Sequence, residues 1–191
     1  MELKQLVLLI DFHGHPVLDP NDHDNNLRYA HLREMMFRHK GEWIVMSDQH
    51  PKDPAINEIR KLVKIEGKNP WIDIDYNEQE EQCPPPVQLI EKVKRETDQP
   101  FVKNNIIIGG CNTAGCVLFS RSYSAIAWAK LGWHVKIHLP LCADYQKYGT
   151  TAAERNNFAF AQMYQTIVDE GLHNNITMTA GRTHLYNIKK V

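Results

Sequence analysis

The sequence predicts a doubly wound, Rossmann-like α/β domain: a mostly parallel six-stranded sheet with helices on both faces. Three observations carry that prediction. Short apolar, β-branched runs alternate with amphipathic stretches of ten or more residues, the order of parallel strands joined by crossover helices. One run, Asn105 to Gly109, is apolar without much interruption, as a central strand covered on both faces must be. The 191 residues contain no repeat, low-complexity tract or linker, so one domain over 1–191 accommodates them.

Gln5 to Phe12 is the first strand and turns polar at Asp11. Asn21 to Asn26 offers helix caps ahead of an amphipathic helix near Leu27 to His39, which Gly41 stops. Glu42 to Met46 reads as the second strand and runs into the polar turn Ser47 to Pro51. The next helix, Pro54 to Lys64, gathers Ile56, Ile59, Leu62 and Val63 on one side. Trp71 to Tyr76 alternates as a third strand does. Pro84-Pro85-Pro86 opens a helix to about Glu96, the Asn105 strand comes next, and Gly115 to Leu131 is another helix, with Gly132 as its stop. His134 to Leu139, the helix Thr151 to Glu170 and Ile176 to Thr179 complete the pattern.

Lys plus Arg (22) nearly cancel Asp plus Glu (23), so no global basic field points to nucleic acid or an acidic membrane surface. A small-molecule partner is expected. The longest apolar run, Leu6 to Ile10, is too short for a bilayer, and Met1-Glu2-Leu3-Lys4 lacks a signal-peptide pattern, so the expected location is cytoplasmic. Cys83, Cys111, Cys116 and Cys142 form no Cys-x-x-Cys pair and read as free thiols, each either a small buried hydrophobe or chemistry.

Ligands of doubly wound sheets bind beyond the carboxyl ends of the strands, which places Asp11, Asp48, the Asp73 region and Cys116 along one rim. Cys116 comes after a buried strand and begins a helix. A thiol so placed faces the positive end of the macrodipole and unpaired backbone N–H groups, the setting of a nucleophile. Asp11, at a strand end, reads either as a catalytic acid–base group or as a carboxylate that caps a loop. Trp128, Trp133, Phe158, Phe160 and Tyr164 fall at core spacings.

These residues resemble the isochorismatase-like cysteine hydrolases, the superfamily that includes nicotinamidases and related amidohydrolases. Leu6-Val-Leu-Leu-Ile-Asp11 resembles the family's first strand with its terminal Asp. Gly110-Cys-Asn-Thr-Ala-Gly-Cys116-Val117 resembles its Gly-x-x-Thr-x-x-Cys-Val nucleophile turn. Leu131-Gly-Trp-His-Val and Leu141-Cys-Ala-Asp resemble the family's segments on the carboxyl side of that turn. The resemblance implies Cys116 as nucleophile, Asp11 as base, backbone N–H groups around Asn112, Gly115 and Cys116 as the oxyanion hole, and a cis peptide at Cys111–Asn112.

The resemblance also implies a lysine at or before the third strand, and here the chain departs from the pattern. Glu66 falls where the register puts the lysine, and a glutamate beside Asp11 and a thiolate would repel both. Lys68, with Lys64 behind it, is the candidate to take the role after a small shift. Trp71 and Tyr76, in the same segment, are the expected substrate contacts. Asp48 and His50 resemble an Asp-x-His pair that holds a divalent, zinc-like metal in nicotinamidases. Lys52 to Lys64 supplies no further His; His13, His15 and His23 are the other candidates, many relatives lack the metal, and no cofactor is required. A homo-oligomer is implied as well. Two functions stay open: a hydrolase of a C–N amide or related bond through a Cys116 thioester, and a catalytically silent small-molecule or protein binding module. A redox or transferase domain using Cys111 and Cys116 is disfavoured, since their spacing is not that of a redox pair.

Overall fold

From Leu6 to Ile10 alternate residues of the first strand face opposite ways and all are buried: Leu6, Leu8 and Ile10 join one apolar cluster, Val7 and Leu9 the other. A strand buried on both faces needs a helical layer on each, and the chain supplies them. The computed structural model describes residues 2–12, 23–48, 54–74, 84–144, 149–179 and 185–186. Six parallel strands, β1 (Lys4–Ile10), β2 (Trp43–Ser47), β3 (Trp71–Asp73), β4 (Phe101–Cys111), β5 (His134–Ala143) and β6 (Ile176–Thr179), are joined by a two-residue antiparallel strand, β7 (Leu185–Tyr186). Their order is β3-β2-β1-β4-β5-β6-β7.

Helix α1 (His23–Arg38) and helix α2 (Pro54–Lys61), which runs on into a π-helical turn over Leu62–Glu66, pack Leu32, Met36, Ile56 and Ile59 on one face. Helix α3 (Pro86–Thr97), a π-helical segment (Thr113–Ser120), α4 (Ala125–Lys130) and α5 (Ala152–Asp169) cover the other. The chain winds outward from β1 in one direction and from β4 in the other, so the switch point lies between these neighbours. There the backbones touch: a Cβ on Gly110 would stand 1.8 Å from the Ile10 carbonyl oxygen, so only glycine fits.

The expected elements are present; helix α1 begins at His23 rather than near Leu27, and three further elements differ from the sequence-based expectation. Strand β4 starts four residues earlier than Asn105, through an irregularity in its pairing with β1 around Lys4 to Leu6, because Asn104 takes φ +60 and lets a polar stretch join the ladder. Strand β5 runs past Pro140, which a register shift against β4 between Ile108 and Gly110 accommodates. The expected helix from Gly115 to Leu131 is broken: the π-helical segment stops at Ser120, Arg121 to Ser124 form a turn closed by the Ser124 N–H on the Arg121 carbonyl at 3.0 Å, and Ser124 starts α4. Serines at 120, 122 and 124 favour caps and turns over helix interior, which is the physical reason for the break. No helix among the described residues is long and apolar enough to cross a membrane.

Candidate functional site

The switch-point rim gathers Asp11, Asp48, Cys111, Asn112 and Cys116. Asp11 leaves β1 with φ +44, and its backbone N–H donates to Asp48 Oδ1 at 2.7 Å. The second oxygen of Asp48 accepts from the Tyr123 hydroxyl at 2.5 Å. Arg121 Nη2 donates to Asp11 Oδ2 at 2.7 Å, both side chains about three-quarters buried. Thus the turn that breaks the expected helix sends two side chains, Arg121 and Tyr123, back to the ends of β1 and β2.

Burial first, and then the charge of Asp11, pushes the Asp48 carboxyl up to about 7, against the opposing pull of the Tyr123 and Asp11 hydrogen bonds and of Arg121. Arg121 loses hydration by burial, but the Asp11 hydrogen bond and the charges of Asp11 and Cys116 outweigh this and hold the guanidinium more firmly protonated. Arg121 therefore feels both the carboxylate and the thiol that the sequence singles out.

Beyond β4 the Cys111–Asn112 peptide is cis, at the bond the family resemblance implies. Asn112 then starts the π-helical segment without capping it; Asp144, buried at the end of β5, takes that role by accepting the Thr113 N–H at 2.9 Å. Burial raises the Asp144 carboxyl, while the hydrogen bonds from Thr113 and Ala114 pull the other way. Cys116 is the fourth residue of the segment and partly exposed. Cys111 and Cys142 are buried, and burial pushes each thiol up to about 12. Among the described cysteines only Cys116 is open to a reagent; Cys83 lies outside the described residues.

Several expected site residues stand elsewhere. Lys68 is exposed beside Gly41, where the chain enters β2, at the amino end of the sheet and so at the edge opposite Asp11. Lys64 is exposed on the π-helical turn after α2. The feared repulsion from Glu66 does not arise, because Glu66 lies on the surface near Arg33, at 3.9 Å. Trp71 pairs with Val45, which pairs with Val7, four residues short of Asp11 along β1. Its ring packs into the core beneath α2 with Nε1 donating to Asp73 at 2.8 Å, so it does not line the rim. Asp73 itself pairs with Arg60 at 2.6 Å. The Gly115 N–H donates to the Asn112 carbonyl at 3.1 Å, so the turn itself uses that donor. A Cβ at 115 would stand 2.9 Å from the Asn112 side-chain amide, so any larger residue would have to displace that side chain.

His50 and Tyr76 lie outside the described residues, as do His13, His15 and the His23 side chain. Of the pair that the resemblance assigns to a metal only Asp48 is described, and it is buried with each oxygen accepting one hydrogen bond. Among the described residues no three His, Cys, Asp or Glu side chains cluster as a metal site.

Two cations were missed by sequence reasoning. Arg121 was hidden inside an apparent helix; the serines around it were the available signal. Arg28, buried on α1 with its guanidinium 5.3 Å from the Phe12 ring centroid, acts electrostatically on Cys111 and Cys142. Nothing in the amphipathic pattern of α1 marks it.

Comparison with solved structures identifies the architecture. A nicotinamidase from Staphylococcus aureus matches with a TM-score of 0.50 and 15% identity, covering 87% of this chain and 95% of that one. The MAR1 ribonuclease from Caenorhabditis elegans matches with a TM-score of 0.49 and 16% identity, covering 91% of this chain and 84% of that one. The protein has the isochorismatase-like α/β fold. No protein-family model matches the chain, and no curated protein matches it.

Proposed function

We propose that the protein is a cysteine hydrolase that cleaves a C–N amide or related bond of a small molecule. The observation that carries this reading is the 2.7 Å pairing of Arg121 with Asp11 on the rim that bears Cys116. In this reading nucleophile, base and fixed cation share the rim at the switch point, where folds of this kind bind ligands.

In this reading the Asp11 carboxylate takes the Cys116 proton and the sulfur attacks the substrate carbonyl carbon, moving an electron pair onto its oxygen. Collapse of the tetrahedral species breaks the C–N bond, and Asp11 returns the proton to the leaving nitrogen. Water then gives a proton to Asp11 and its oxygen to the thioester carbon. The C–S bond breaks, the carboxylic acid departs and the sulfur regains its proton. Arg121 gives up no proton at any working pH, so its part is electrostatic: a fixed positive charge beside the base that favours the thiolate and the charge developing on the carbonyl oxygen. In this reading it does the work that the resemblance assigns to a lysine. Each step balances without a cofactor.

The same contact also supports the second reading, a silent binding module, because a permanent cation on Asp11 Oδ2 competes with the proton that a base must accept. Ammonia or amine release from a panel of small carboxamides separates the two. Turnover that Cys116→Ala abolishes supports the hydrolase; saturable binding without turnover, unchanged in Cys116→Ala, supports the module.

A further inference from the structure

We infer that Asp48 and Tyr123 are a brace that positions Asp11, standing where the resemblance puts a metal ligand; what Asp11 does once positioned rests on the hydrolase reading. Three contacts tie three chain segments together. The end of β2 holds the end of β1 through Asp48 Oδ1 and the Asp11 N–H at 2.7 Å. The Arg121–Ser124 turn holds the end of β2 through Tyr123 and Asp48 Oδ2 at 2.5 Å, and it holds the Asp11 side chain through Arg121 at 2.7 Å. Asp11 is thereby fixed at both its backbone and its carboxylate. The backbone contact matters because Asp11 sits at φ +44, a left-handed conformation that is sparsely populated by residues with a side chain, and the Asp48 hydrogen bond helps to hold it.

The same contacts argue against ligation. Asp48 is 6% exposed and Tyr123 is 0% exposed, so neither hydrogen bond is exchangeable with water at low cost. A metal on Asp48 would have to share an oxygen with the Asp11 N–H or the Tyr123 hydroxyl, at a carboxyl with almost no exposed surface for the ion's remaining ligands to approach. The carboxylate has two strong neighbours already, and both lead back to the base rather than outward to solvent.

Two measurements on the full-length protein test the brace: the alkylation rate of Cys116 by iodoacetamide, read by peptide mass mapping, and zinc binding, read by competition with a chromophoric chelator. Tyr123→Phe removes only a hydroxyl, and Cys116 alkylation is expected to slow about five- to tenfold, the scale of one buried hydrogen bond, with a cooperative unfolding transition retained. Asp48→Ala is expected to slow it at least as much. Asp48→Asn still offers an acceptor to the Asp11 N–H and, with the tyrosine hydroxyl turned to accept, keeps a rate within about threefold of wild type. Zinc ion is expected neither to bind tightly nor to change these rates.

Stoichiometric zinc binding that Asp48→Asn abolishes would overturn the brace in favour of a ligand. Wild-type alkylation in Tyr123→Phe and Asp48→Ala, alongside slow alkylation in Asp11→Asn, would overturn the brace alone and leave the hydrolase reading standing. Wild-type alkylation in Asp11→Asn itself would overturn the hydrolase reading, and the positioning role with it.

Discussion

At the amino ends of the strands Glu42, Lys68, Lys103 and His134 are exposed, and the buried polar side chain described there is the neutral Asn69, whose Oδ1 accepts the Trp43 N–H at 2.9 Å. At the carboxyl ends of β2, β4 and β5 the side chains of Ser47, Asp48, Thr113 and Asp144 are buried, each no more than 6% exposed, while Asp73 on the outer strand β3 is exposed. Burying a carboxyl costs free energy unless hydrogen bonds compensate, and those at this edge are supplied from other elements: Tyr123 for Asp48, the Thr113 N–H for Asp144. Among the described residues no carboxyl is buried at the amino edge. The contrast shows where this chain maintains polar structure that packing alone does not require, and it coincides with the switch point between β1 and β4.

If the contrast is functional, changes at the carboxyl edge must act on Cys116 and changes at the amino edge must not. The largest effect is expected for Asp11→Asn, which removes the base and should lower any turnover by about 100-fold or more, the usual scale of general-base loss. Arg121→Ala comes next. It leaves the Asp11 carboxylate without its 2.7 Å partner, and turnover should fall about tenfold, with destabilisation of about 1–2 kcal/mol in chemical denaturation; Arg121→Lys should restore part of both. An unchanged rate in Arg121→Ala would remove the cation from the mechanism.

A smaller, pH-dependent effect should come from Asp48. Its folded carboxyl is raised from 3.8 to about 7, so between those values the native state holds a proton that the unfolded chain has lost. Stability from this group is therefore greatest at low pH, declines as pH rises from about 4 to about 7, and levels off above. Urea midpoints measured across that window should fall more steeply in wild type than in Asp48→Asn; parallel curves would show that Asp48 is ionised throughout. The smallest effect is expected at the other edge, where Lys68→Ala should leave the rate of Cys116 alkylation within about twofold, as for surface changes remote from a site.

Much of this molecule was legible in its sequence because burial on two faces leaves a plain mark: continuous apolar strands and helices of the right length between them. Cys116 and Asp11 stood out for the same reason, as chemistry-bearing residues just past such strands. Lys68 and Trp71 show how sequence proximity misleads. Both belong to the segment that enters β3, and a residue that precedes a parallel strand must lie at the amino edge; strand direction already excluded Lys68 from the rim. Arg121 was illegible for another reason. Ser120 to Ser124 is compatible with an exposed helical stretch as well as with a turn, and the choice is made by tertiary contacts to Asp11 and Asp48, 110 and 75 residues away in the chain.

The central claim is that Cys116 is a nucleophile served by Asp11, and one measurement bears on it most directly: the iodoacetamide alkylation rate of each cysteine at neutral pH, in wild type and in Asp11→Asn. The account predicts that Cys116 reacts at least about tenfold faster than a free thiol such as glutathione, that Cys111 and Cys142 stay unlabelled, and that Asp11→Asn removes the advantage. Alkylation of Cys116 at the rate of an ordinary thiol, unchanged in Asp11→Asn, would contradict it.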